Sequence, residues 1–193
     1  MSSYSDKTYI VFLNLPKRIE FLIDKVKGKY SKSVKKWPAH ITLKQDEDFK
    51  IESEKIVNIL EEILENEYCI EAQVYKPKIN YNDLGWNIYL PVKSGNLNKL
   101  TQKISKKLES FIDANSPRAF ISTKWEQSKE FYSHISIKGG KNRGGEKKIL
   151  SKIINENFGF DFPLKIRCCS VTLANWDNGK WRKIKTIKLK PVE

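Results

Sequence analysis

Tyr132-Ser133-His134-Ile135-Ser136-Ile137-Lys138 has an echo earlier in the chain, Pro38-Ala39-His40-Ile41-Thr42-Leu43-Lys44. Both stretches read histidine, isoleucine, hydroxyl, aliphatic, lysine, and they hold the only 2 histidines among 193 residues. Each is short and rich in β-branched side chains, so each is predicted to be a strand. Side chains alternate across a strand. His40 and Thr42 are then expected on one face, with Ile41 and Leu43 on the other. His134 and Ser136 are likewise expected opposite Ile135 and Ile137. Lys44 and Lys138, four residues after each histidine, are expected on the histidine face.

Working outward, each stretch lies in a similar setting. Thr8 to Leu15 is a predicted strand stopped by Pro16. Ile19, Leu22, Ile23 and Val26 then recur at helical spacing, with Gly28 after them. A basic loop, Lys29 to Lys36, leads into the His40 strand. A second helix carries Ile56, Ile59, Leu60, Ile63 and Leu64, followed by an extended segment from Glu67 to Ile79. Asn82 to Gly85 reads as a turn, and Trp86 to Val92 as a strand. Leu97, Leu100, Ile104, Leu108 and Phe111 mark a third helix, and a linking region runs from Asp113 to Lys129. Behind the His134 strand come a glycine-rich loop at 139–145 and a fourth helix bearing Ile149, Leu150, Ile153, Ile154 and Phe158, with Gly159 as its expected stop. Leu164 to Asn175 and Trp181 to Leu189 close the chain as two strands joined at Asp177-Asn178-Gly179.

The order strand, helix, histidine strand, helix, strand therefore occurs twice, with the histidines 94 residues apart. Two repeats are too few for a solenoid. They fit one α+β domain over residues 1–193, made of two intertwined lobes of roughly 1–85 and 86–193, with a histidine strand from each lobe lining a central cleft.

Hydrophobic residues make up 39% of the chain and aromatic residues 11%, as expected for a folded protein. No apolar run is long enough to span a membrane, and no secretory signal is read. The net charge of +13 is unevenly spread: residues 1–90 carry 14 basic and 14 acidic side chains, and residues 91–193 carry 22 and 9. Residues 17–44 hold nine basic and two acidic side chains, so positive charge surrounds both histidine stretches. Such a field steers anions, phosphates above all. Three cysteines without C-x-x-C spacing are expected to be free thiols in a reducing cytosol, and Cys168 and Cys169 to face opposite ways.

Two imidazoles facing a common cleft form an acid–base pair near neutral pH. One takes a proton from the attacking group and the other gives one to the leaving group. The hydroxyls of Thr42 and Ser136, on the same faces, can donate to phosphoryl oxygens. No metal and no cofactor are expected. Lys44, Lys138, Lys141 and Arg143 are candidate phosphate contacts. Trp37 and Tyr132 flank the histidine strands as candidate base-stacking residues. The loop at 139–145 lacks the order of a nucleotide-triphosphate motif.

The paired motifs His40-Ile41-Thr42-Leu43 and His134-Ile135-Ser136-Ile137 resemble those of the 2H phosphoesterase superfamily, which includes the 2′-5′ RNA ligase-like proteins and cyclic nucleotide phosphodiesterases. The resemblance implies a bilobal, pseudo-symmetric α+β fold with two mainly antiparallel sheets lining the cleft and helices outside. It implies a metal-independent phosphodiesterase with His40 and His134 as general base and acid, in either order, and Thr42 and Ser136 binding the phosphate. It also implies 2′-5′ or 2′,3′-cyclic phosphodiester bonds of RNA ends or oligonucleotides as substrates. Two other readings stay open: a hydrolase of cyclic (oligo)nucleotide or 2′-5′ oligoadenylate signals, and a non-catalytic RNA-binding module. The expected partner is an RNA end or a small cyclic nucleotide, with no membrane, no obligate protein partner, a monomeric state and a cytoplasmic location.

Overall fold

In the computed structural model the described residues are 7–31, 37–82, 85–116, 133–141, 144–178 and 180–192. In chain order the elements are β1 (Thr8–Asn14), α1 (Lys17–Tyr30), β2 (His40–Asp48), α2 (Ser53–Leu64), β3 (Ile70–Val74), β4 (Lys78–Asn82) and β5 (Gly85–Lys93). Then come α3 (Leu97–Leu108) with a 3-10 turn at Glu109–Phe111, β6 (His134–Gly140), α4 (Glu146–Ile154), β7 (Leu164–Cys168), β8 (Ser170–Asp177) and β9 (Lys180–Lys188).

The strands form two antiparallel sheets. One has the order β2-β1-β8-β9. The other joins β4, β5, β3 and β7, with β6 paired to β5. The repeat of elements divides the chain near residue 85, whereas the hydrogen-bonded sheets group residues 8–48 with 170–188, and 70–93 with 134–168. Each sheet thus contains one histidine strand, and the C-terminal strands complete the sheet that the N-terminal strands begin.

Alternation sorts each strand. On β1, Val11 and Leu13 join a core that also takes Ile23 and Val26 of α1, Leu60 of α2, Leu100 and Ile104 of α3, and Leu90 and Ile135 of the second sheet. Ile10 and Phe12 point to the opposite face, where Ala174, Trp37 and Trp181 cover them. Helices therefore pack against the outer faces of the sheets and leave the inner faces for a cleft. Of the stripes read in the sequence, α2 buries Ile56, Leu60, Ile63 and Leu64 with Ile59 partly covered, and α3 buries Leu97, Leu100, Ile104 and Leu108, whereas Ile154 of the fourth helix is exposed.

Some boundaries differ from expectation. Gly28 lies inside α1 rather than ending it. The helix α4 stops at Ile154, ahead of Phe158, which packs with Phe160 and Phe162 instead. The expected strand from Leu164 to Asn175 is broken at Cys169, where the chain leaves the second sheet and enters the first.

That break also corrects the reading of the cysteines. Cys168 points into the core as a free thiol, its pKa pushed up to about 12 by burial. Cys169 faces the other way, as expected, and forms a disulfide with Cys69 across a sequence separation of 100. The backbone brings them together: Cys69 N–H donates to Lys190 O at 2.8 Å, and Leu189 N–H to Cys169 O at 3.0 Å. A reducing compartment therefore no longer follows from the cysteines. Among the described residues no helix is long and apolar enough to cross a membrane.

Candidate active site

His40 opens β2 opposite Asn14 of β1, and Thr42 lies opposite Phe12. Directly paired residues share a face, so both sit on the inner, aromatic face of the first sheet. His134 opens β6 opposite Pro91 of β5, and Ser136 lies opposite Tyr89. Ile135 pairs with Leu90 on the core side. The two histidine strands belong to different sheets and lie against each other. Each histidine opens its strand, and His134 is near enough for its charge to be among the causes that lower the His40 pKa.

The segment ahead of β2 holds His40 in a single orientation. Lys27 of α1, itself buried, donates to Trp37 O at 3.1 Å. Ala39 N–H donates to Asp24 Oδ1 of the same helix at 2.9 Å. The anchored backbone turns Pro38 O toward His40 Nδ1, 2.8 Å away. That bond assigns the proton to Nδ1 and leaves the lone pair on Nε2, which accepts from Trp37 Nε1 at 3.3 Å. Phe12 and Trp37 enclose the ring, with centroids 4.9 and 5.6 Å away. Burial pushes the His40 pKa down to about 4. The bond to Pro38 opposes the shift, and the positive charges of Lys27 and His134 add to it. His40 is a neutral base at pH 7.

The other half is more open at its hydroxyl. His134, half-buried like His40, meets Tyr89 edge-on at 5.3 Å. Ser136 is exposed, and Asn87 Nδ2 donates to its oxygen at 3.1 Å. With that lone pair engaged, the Ser136 hydroxyl can direct its proton to a substrate oxygen.

The two lysines of the motifs leave this face. The ladder passes from Thr42 opposite Phe12 to Lys44 opposite Val11, and from Ser136 opposite Tyr89 to Lys138 opposite Ile88. One residue is extra in each case, Leu43 and Ile137, and such a bulge turns the following side chain to the other side. Val11 and Ile88 are core residues. Lys44 is accordingly fully buried and paired with Glu47, which is also fully buried, so it is a structural ion pair and not a phosphate contact. Lys138 is half-buried opposite Ile88, off the face of Ser136. Lys141 is exposed just beyond β6. Tyr132 and Arg143 lie outside the described residues. Gly140, the last residue of β6, makes room for an indole: a Cβ there would stand 2.6 Å from Trp86.

Asn87, Lys27 and Asp24 escaped the sequence reading. Asn87 carried a usable signal, because Asn87, Tyr89 and Pro91 are the alternate positions of an otherwise apolar strand. Lys27 and Asp24 carried none, since a lysine and an aspartate on a helix ordinarily face solvent.

The same two-sheet architecture occurs in solved structures. TT0787 of Thermus thermophilus aligns with a TM-score of 0.62 at 11% identity, covering 96% of this chain and 100% of its own. Escherichia coli LigT in complex with 3′-AMP aligns at 0.57 and 11% identity, covering 96% and 99%. A phosphoesterase structure aligns at 0.55 and 12% identity, covering 95% and 99%. At these identities the likeness concerns the fold. No curated protein sequence matches the chain. The family model of the 2′-5′ RNA ligase superfamily matches residues 15–180, which takes in both histidine motifs. The chain belongs to this superfamily, within the 2H phosphoesterases, whose general activity is phosphoester chemistry.

Proposed function

We propose that the protein is a metal-independent phosphodiesterase acting on 2′-5′ or 2′,3′-cyclic phosphodiester bonds of RNA ends or short oligonucleotides. The observation that carries this reading is that the two histidine strands, one from each sheet, lie against each other, each with a hydroxyl two residues after its histidine on the histidine's face.

The asymmetry of the pair supports a division of labour. His40 is neutral, with its lone pair at Nε2, and suits the general base. His40 Nε2, once it exchanges the Trp37 N–H for the attacking water, removes that water's proton as its oxygen bonds to phosphorus. His134, protonated, donates to the oxygen that leaves as the P–O bond breaks. Thr42 and Ser136 donate to the non-bridging oxygens, where charge builds in the transition state. The basic surroundings of the cleft draw the substrate in. E. coli LigT, which shares the fold, has been crystallised with 3′-AMP and with ATP, and a nucleotide substrate is in keeping with that.

A substrate panel with product identification tests the proposal. It should contain 2′,3′-cyclic RNA ends, 2′-5′ oligoadenylate and cyclic dinucleotides, with and without chelator. Turnover of an RNA end or a 2′-5′ bond that is indifferent to chelator is the expected result. Binding of RNA without product in any arm would replace the enzyme with a binding module. Preference for a cyclic dinucleotide would move the substrate to signalling nucleotides.

A further inference from the structure

The inner face of the first sheet continues well past His40. From His40 the ladders step to Asn14 on β1, to Ser170 at the start of β8, and to Lys188 on β9. At an inter-strand spacing of about 4.8 Å, this row carries the face roughly 14 Å from His40 to Lys188. It ends in a cavity of about 500 Å³ that no step of the proposed mechanism uses.

The cavity has the chemistry of an anion site. Its floor is polar: Asn14 Nδ2 donates to Ser170 Oγ at 3.0 Å and to Thr172 Oγ1 at 2.9 Å, and Thr172 Oγ1 lies 2.9 Å from Thr186 Oγ1. Asn14, Ser170 and Thr186 are in the lining itself. Four cations complete it, Lys17 from the start of α1, Arg167 from β7, and Lys183 and Lys188 from β9, against one carboxylate of the lining, Glu20. Lys188 stands opposite Ser170, and Lys183 opposite Ala174, so both cross-strand registers place these lysines on the cleft face. Arg167, held by Glu71 at 2.7 Å, comes from the second sheet. The cavity thus lies between the sheets, as the histidine pair does. The aromatic side chains gather on the other side of the row, where Trp37, Trp181 and Trp176 follow one another at centroid separations of 5.5 Å.

We propose that this cavity is a second phosphate subsite, which takes an internucleotide phosphate of the same strand whose terminal or 2′-5′ bond lies between His40 and His134. The inference rests on the phosphodiesterase reading and adds to it that the substrate is an oligonucleotide. A mononucleotide engages the histidine centre alone. A longer strand also places a backbone phosphate among Lys17, Lys183 and Lys188, with Ser170 and Thr186 as hydroxyl donors to its oxygens. Subsite contacts remote from the reacting bond strengthen binding of the strand as a whole.

The test compares 2′,3′-cyclic UMP with a uridine tetranucleotide ending in a 2′,3′-cyclic phosphate, on wild type and on a K183E/K188E variant. K183Q/K188Q replaces it if the charge reversal does not fold. The ratio of kcat/KM for tetranucleotide over mononucleotide should fall at least tenfold in the variant, with the loss in KM. Calorimetric binding of the same two ligands to His134→Ala protein, with and without the lysine changes, reads the subsite independently of turnover. Its length preference should vanish with the lysines. The salt dependence of tetranucleotide binding, as log Kd against log salt, should become shallower by about 0.7 for the lost phosphate contact. Equal losses for both ligands, or none for either, would overturn the subsite. Length-selective binding without turnover of any substrate would keep the subsite and overturn the phosphodiesterase.

Discussion

The strands β2 and β6 carry nearly the same five-residue motif and provide different environments. On β2 the histidine is enclosed by Phe12 and Trp37, and its Nδ1 proton is fixed on Pro38. On β6 the histidine sits beside Tyr89, and its companion hydroxyl is exposed. The difference comes from what precedes each strand. Residues 37–39, just before β2, are bound to α1 through Lys27 and Asp24 and lay an indole against the ring. A repeated motif thus yields one histidine held as the neutral ring and another, also half-buried, beside an exposed hydroxyl.

The largest test of that comparison is removal of either imidazole. His40→Ala and His134→Ala should each lower kcat by about 10²–10⁴-fold, with binding of an oligonucleotide largely kept. If the roles divide as proposed, the acid limb of the pH–rate profile disappears in residual His40→Ala activity, and the alkaline limb disappears in His134→Ala. An unchanged kcat in either variant would break the pairing. The hydroxyls come next. Thr42→Val and Ser136→Ala should each cost roughly 10²-fold in kcat if each donates to a developing charge. Asn87→Ala should lower kcat less than Ser136→Ala and have no further effect in its presence.

The two bulge lysines sharpen the comparison through stability. Lys44→Met leaves Glu47 buried without its cation and should destabilise the fold by about 3–5 kcal/mol, read by denaturant unfolding. Lys138→Met, at a half-buried position, should cost under about 1 kcal/mol. Equal costs would mean that the bulges do not distinguish the strands.

The pH dependence gives the smallest effects. His40 titrates near 4 when folded against an ordinary 6.5. Between those values the unfolded chain binds the proton and the folded chain resists it, so stability is lost as pH falls from about 6.5 toward 4. Above that range His40 adds no pH dependence. The loss should be about 3 kcal/mol, and His40→Asn should flatten it. In activity, the limb set by the base should lie below the usual imidazole range. Trp37→Phe removes an N–H that favours the neutral ring, and should raise that limb by about 0.4–1 pH unit.

Much of this was legible in the chain. The helical stripes of α2 and α3 and the alternation about His40 and His134 follow from periods that any amphipathic element must show. The motif faces hold as far as Thr42 and Ser136 and fail at Lys44 and Lys138. Alternation is a local rule, and a bulge is set by the partner strand, through the register of β1 for Lys44 and of β5 for Lys138. The cysteines fail for a related reason. That Cys168 and Cys169 diverge is local, whereas the return of Cys69 to Cys169 needs the path of the 99 residues between them. Asp24 and Lys27 look like solvent-facing residues until the backbone of Trp37 and Ala39 meets them.

The sequence by itself determined most of the elements, their repeated order, the two histidines with their hydroxyls, and the excess of positive charge. Each depends on residue type and short-range period alone. Only the tertiary structure decided which sheet each strand joined, that the last two strands complete the first sheet, which nitrogen of His40 keeps its lone pair, and that Lys44 serves the core. Those outcomes depend on contacts between residues far apart in the chain, where burial and hydrogen-bond partners are set by neighbours that no local pattern names.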